Sequence, residues 1–109
     1  MTRVTYLPEK YYMKIEGHAQ AVEKGMIDPV CAGVSALSFT LLLAADSTPE
    51  YHMSLYANQQ DGVLEIHCDP EEEYADLCRY LFDVFYDGLQ LIESDFADYL
   101  TTGGAENGK

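Results

Sequence analysis

Cys31 stands three residues beyond Asp28, with Pro29 just after the aspartate and an apolar run following the cysteine. Asp suits a helix N-cap and Pro the first helical position, so the sequence predicts a helix from Pro29 with Cys31 in its first turn. Backbone N–H groups in that turn lack intrahelical partners and the helix dipole is positive there. Both features favour a thiolate and offer donors to an oxyanion formed when a thiolate attacks a carbonyl. Such a nucleophile needs a base. His18 lies thirteen positions earlier, just after Gly17 breaks a strand pattern, and a loop of that length folds back readily. Cysteine at a helix start also serves as a small buried hydrophobe, and histidine after a strand as a structural residue. The residues alone leave catalysis and packing both open.

Other polar residues offer weaker chemistry. Ser35 lies one turn past Cys31, where its hydroxyl is expected to bond a backbone carbonyl or His18 rather than act as a nucleophile. His67 and Cys68 are neighbours on an expected strand and point to opposite faces, and no His or Cys pair has zinc-like spacing. No metal and no cofactor is expected. His52 is expected on a solvent or polar sheet face. Cys31, Cys68 and Cys78 are an odd set without a C-x-x-C pair, which fits a reducing cytoplasm better than a disulfide scaffold.

The elements that must hold Cys31 and His18 follow from periodicity. Alternating residues over 4–7 and 11–16, around a Pro8-Glu9-Lys10 turn, predict a first hairpin. The helix from Pro29 is expected to end near 46–49 and, uncharged over 29–45, to be a buried core helix; that stretch is too short for a membrane span. Alternation over 51–56 and 63–68, around the turn 58–62, predicts a second hairpin. A second helix is expected to open at 69–72, with Tyr74, Leu77, Cys78, Leu81, Val84, Phe85, Gly88, Leu91 and Ile92 as its buried face. Phe82, Tyr86 and Leu89 form a second apolar row, which suggests burial on two sides or a face for another copy of the chain. A last strand over 96–101 completes the order ββαββαβ. The predicted fold is a single α+β domain of antiparallel hairpins packed on two helices, over 1–102, with 103–109 as a flexible tail.

Composition narrows the partners. The 109 residues carry six Lys and Arg against nineteen Asp and Glu, a net charge of −13, and residues 69–109 hold eleven of those acids. A phosphate backbone or an anionic membrane needs a basic footprint, so neither is expected as a partner. The surface suits a cationic partner or substrate. The start of the chain has no apolar core of a signal peptide, and a cytoplasmic location is expected.

Gly17-His18-Ala19, then Gly25, then Asp28-Pro29-Val30-Cys31-Ala32-Gly33-Val34-Ser35-Ala36-Leu37, resembles the signature of the ribosomal-processing cysteine protease family, Prp. The likeness covers about 3–102, with the specific part at 17–37. It departs from the family pattern by one extra residue between Gly25 and Asp28, and by Pro29 in place of an aliphatic residue. The resemblance implies a homodimeric cysteine endopeptidase that removes the N-terminal extension of large-subunit ribosomal protein twenty-seven, cutting after an aromatic residue. It implies Cys31 as nucleophile, His18 as general base, Asp28, Ser35 and Gly17 in support, and 19–27 as a mobile cover. A rival of another class remains: a non-catalytic acidic dimer that binds a basic ribosomal or phage peptide.

Overall fold

The protein is described by a computed structural model over residues 1–18 and 25–104. Strand β1 (Thr2–Leu7) turns through a short 3-10 helix at Pro8–Lys10 into β2 (Tyr12–Glu16), and Tyr11 takes the left-handed conformation at φ 51° to complete the turn. The antiparallel register runs from Leu7↔Tyr12 to Arg3↔Glu16. On its other side β2 pairs antiparallel with β4 (Val63–His67), which pairs with β3 (Ser54–Asn58). The last strand, β5 (Leu100–Gly103), lies parallel to β1, so the five-stranded sheet is mixed, in the order β3-β4-β2-β1-β5.

One face of this sheet carries the core. Val4, Tyr6, Met13, Ile15 and Ile66 alternate inward and are buried under two helices, α1 (Pro29–Asp46) and α2 (Ala75–Asp95). Tyr6 stacks on Phe82 of α2 with ring centroids 6.2 Å apart, and its hydroxyl bonds Asp83. The helices touch closely at two glycines: a Cβ on Gly33 would come within 3.1 Å of Ile92, and one on Gly88 within 3.1 Å of Leu37. The opposite sheet face is polar, with Tyr12 donating to Glu65 at 2.8 Å and Lys14 paired with Glu16 at 3.7 Å. Burial and the Glu65 bond push the Tyr12 hydroxyl up to about 12.

The element order and fold class follow the sequence reading, while several boundaries and faces do not. The α1 helix starts at Pro29 under an Asp28 cap, as expected, but is not buried all round. Val30, Val34, Ser38, Leu41 and Ala45 form its buried stripe, whereas Phe39 and Leu43 are exposed. By length and composition α1 could cross a membrane, with a mean hydropathy of 1.6, yet that stripe is packed into the core. Pro49–Tyr51 is a 3-10 turn and His52 is left-handed at φ 47°, so the strand begins at Ser54 rather than 51 and Tyr51 turns into the core. A 3-10 turn at Glu72–Tyr74 precedes α2.

The face of α2 is also rotated. Cys78, Phe82 and Leu89 are its buried residues, while Leu77, Val84 and Leu91, expected in the core row, are exposed. The core takes residues from both apolar rows: Tyr74, Leu81, Phe85 and Ile92 of the first and Tyr86 of the second pack against it, and the stack of Tyr6 on Phe82 centres the face. Residues 96–99 form a turn, with the Tyr99 N–H donating to the Phe96 carbonyl at 2.9 Å, and β5 runs on through Thr102 and Gly103. Residues 105–109 of the expected tail lie outside the described residues.

The rotated face has a direct check by urea denaturation at one low protein concentration. Phe82→Ala is expected to cost about 3–5 kcal/mol. Leu77→Ala, a turn away on the same helix, is expected to cost under about 1 kcal/mol. Equal large losses would return Leu77 to the core.

Candidate active site

Asp28 sets the start of α1. Its backbone is extended, and its Oδ1 accepts the N–H groups of Val30 at 2.9 Å and Cys31 at 3.1 Å. Its carbonyl accepts the Ala32 N–H at 2.9 Å, and Pro29 has no N–H to place. Cys31 therefore sits at a fixed position in the first turn, half-buried. The same bonds correct one expectation, because no first-turn N–H remains free there to hold an oxyanion.

His18 comes from the opposite direction, off the end of β2. Gly17 turns the chain with φ +87°, and a Cβ there would fall 2.4 Å from the Met1 carbonyl oxygen, so only glycine fits. The Gly17 N–H donates to the Gly62 carbonyl at 2.9 Å, and the Met1 nitrogen donates to the His18 carbonyl at 2.8 Å. These bonds tie the His18 backbone to β1 and to the β3–β4 turn.

The two elements meet at a cavity of about 240 Å³ between α1 and the end of the sheet. Cys31, His18, Ser35 and Gly17 all line it, whereas Asp28 does not and acts through the helix cap. Ile15, Val34, Phe39, Val63 and Leu64 make its walls apolar. The Ser35 hydroxyl and the Gln59 amide, both on the wall, have no hydrogen-bond partner among the described residues. A half-buried thiol, an imidazole and an apolar recess on one surface suit nucleophilic attack on a carbonyl flanked by an apolar side chain.

Over residues 1–101 the chain matches the family model of the cysteine protease Prp. It belongs to the Prp family of cysteine proteases. Solved structures share the fold. An essential ribosomal processing protease Prp from S. aureus, with a covalently linked product peptide, matches at a TM-score of 0.77 and 23% identity, over 94% of this chain and 96% of that one. The same protease with a substrate peptide matches at 0.71 and 23%, over 93% and 94%. SMU.848 from Streptococcus mutans matches at 0.70 and 23%, over 94% and 90%. No curated protein sequence matches the chain.

The other two thiols stand apart from the Prp cavity. Cys68 and Cys78 are buried against each other, and their hydrogen bond, with burial, pushes the Cys68 thiol well above its ordinary range. His52 is exposed and bonds Glu71 at 3.1 Å, and His67 is exposed on the polar sheet face. The expected cover over 19–27 lies largely outside the described residues. Only Gly25, Met26 and Ile27 of it are described, and all three are exposed.

The sequence places Gly62 only in a turn. A Cβ on Gly62 would lie 3.0 Å from His18 Nε2, so the imidazole rests against a bare Cα in the β3–β4 turn. The turn itself is legible as Asn58 to Gly62, but its neighbour is forty-four positions away in sequence and no local pattern reports it.

The cap is testable by substitution. Asp28→Ala is expected to lower stability by about 1 kcal/mol in chemical denaturation, while Asp28→Asn, which keeps an acceptor oxygen, loses only a few tenths of that. Equal losses would mean that the charge rather than the hydrogen bonds carries the cap.

Proposed function

We propose that this Prp-family cysteine protease is an endopeptidase that trims the N-terminal extension of large-subunit ribosomal protein twenty-seven, cutting after an aromatic residue. The observation that carries the reading is the shared cavity, which has Cys31, His18 and an apolar recess on one wall system. In this mechanism His18 takes the proton of the Cys31 thiol as Sγ attacks the scissile carbonyl. The imidazolium then protonates the leaving amine, and a water activated by His18 releases the acyl group. Gly17 sets the turn that carries His18, Gly62 leaves room for the imidazole, and Asp28 holds the helix start. Ser35, Ser38 and Gln59 are wall groups with hydrogen-bonding capacity to spare for the oxyanion.

The cavity volume of about 240 Å³ accommodates an aromatic ring between Phe39, Val34 and Leu64. The S. aureus relatives, described as ribosomal processing proteases bound to substrate and product peptides, support a peptide substrate of ribosomal origin. A net charge of −13 attracts a peptide that continues into a cationic ribosomal protein, and repels nucleic acid. The exposed Leu77, Tyr80, Val84 and Leu91 on α2 suit a homodimer contact. Three free cysteines suit the cytoplasm.

A second reading rests on the cap: with the first-turn N–H groups occupied by Asp28, the chain would bind a basic peptide as an acidic dimer without cutting it. One incubation separates the two. A synthetic peptide with an aromatic residue, then a small residue and a basic stretch, is expected to be cut after the aromatic residue by wild type. Cys31→Ala and His18→Ala are each expected to lose at least about 100-fold in kcat/KM. Wild-type kcat/KM is expected to fall as salt rises. A bound, intact peptide would favour the binding module, and cleavage that survives both substitutions would overturn the site assignment.

A further inference from the structure

Among the described residues β3 pairs with β4 alone and so forms an edge of the sheet. Its exposure sets it apart. Leu55 and Ala57 lie in register with Ile66 and Leu64, on the face that the helices cover elsewhere, yet both are exposed, as are Ser54 and Tyr56. The sheet therefore overhangs its helices on this side. From Ser54 to Asn58 the strand has no charge and no proline, the usual protections of an open edge. The other edge differs: on β5 the Thr102 N–H and hydroxyl are already taken by Glu93, at 3.1 and 2.6 Å.

The second observation is where this edge leads. Ala57 and Asn58, at its end, line the same cavity as Cys31. The facing wall is α1, where Cys31, Ser35 and Phe39, spaced four residues apart, form one row of the lining beside Val34 and Ser38. At a rise of 1.5 Å per residue that row spans roughly 12 Å. An extended peptide covers it in three or four residues at about 3.3 Å each.

We infer that the free edge of β3 is the rail on which an extended substrate peptide docks, pairing its backbone with β3 as an added strand. Every second side chain of the peptide turns toward Leu55, Ala57 and Phe39, and the scissile carbonyl arrives at Cys31. The substrate class is then an unstructured segment with apolar residues at alternate positions on one side of the bond cut. The inference rests on the protease reading of the Cys31 cavity, but strand pairing has its own signature with a period of two.

The test uses the full chain and a synthetic peptide with apolar residues at alternate positions leading to an aromatic residue, then a small residue and a basic stretch. Single N-methyl groups are placed in turn along the apolar segment, and kcat/KM is measured with wild type. Strand pairing predicts losses of about tenfold at alternate positions, one hydrogen bond each, with near-normal rates between them. In parallel, hydrogen exchange on Cys31→Ala with the unmethylated peptide is expected to slow at β3 amides and not at β5. Cleavage with no alternation and no β3 protection would overturn the docking inference and leave the protease reading standing. Slowed β3 exchange without any cleavage by wild type would support docking and overturn the protease reading. Protection at β3 that grows with protein concentration in the absence of peptide would give the edge to a second copy, and a peptide neither bound nor cut would overturn both.

Discussion

The Asp28 carboxylate, accepting the N–H groups of Val30 and Cys31, is the interaction on which the site geometry depends. With Pro29 fixing φ next to it, this bond starts α1 at one residue and no other. A helix that began a residue earlier or later would turn Cys31 by about 100° around the axis, away from His18. The row of Cys31, Ser35 and Phe39 that walls the cavity inherits its phase from the same cap. The cap also consumes the donors that a bare helix end would offer an anion. The helix start is thereby positioned but not vacant.

The second anchor is the sheet. His18 is held because Gly17 and Gly62 each lack a side chain where other atoms already stand, the Met1 carbonyl in one case and the imidazole in the other. Two strands and a turn thus converge on one histidine, while α1 brings the cysteine from the opposite side. Much of the chain's acidity lies elsewhere, since residues 69–98 carry ten acids and hold α2 and its flanks. The Asp28 carboxylate at the start of α1 is engaged by backbone donors.

Local signals were the legible ones. Asp28-Pro29 marked the start of α1 because capping chemistry is contained within four residues, and the order of strands and helices followed from runs of alternation. The Gly17-His18 and Asp28–Ser35 segments carried the family likeness, and the match over residues 1–101 bears it out. What failed were features decided by distant contacts. The centre of the buried face of α2 depends on Tyr6 stacking with Phe82, seventy-six residues away, which leaves Leu77, Val84 and Leu91 exposed while Cys78 of the same row stays buried. The strand expected at 51 begins at 54 because Pro49 and a left-handed His52 turn Tyr51 inward. The parallel pairing of β5 with β1, and the contact of Gly62 with His18, join chain segments that no periodicity connects.

The central claim is that Cys31 and His18 act as one unit in one cavity, and covalent trapping tests it most directly. A peptidyl fluoromethyl ketone ending in an aromatic residue is incubated with wild type and with His18→Ala, and the rate and site of labelling are read by intact-protein and peptide mass spectrometry. The account predicts one label per chain, on Cys31 and on neither buried thiol, formed at least about 100-fold more slowly without His18. Labelling spread over Cys68 and Cys78, or an equal rate in both proteins, would contradict it.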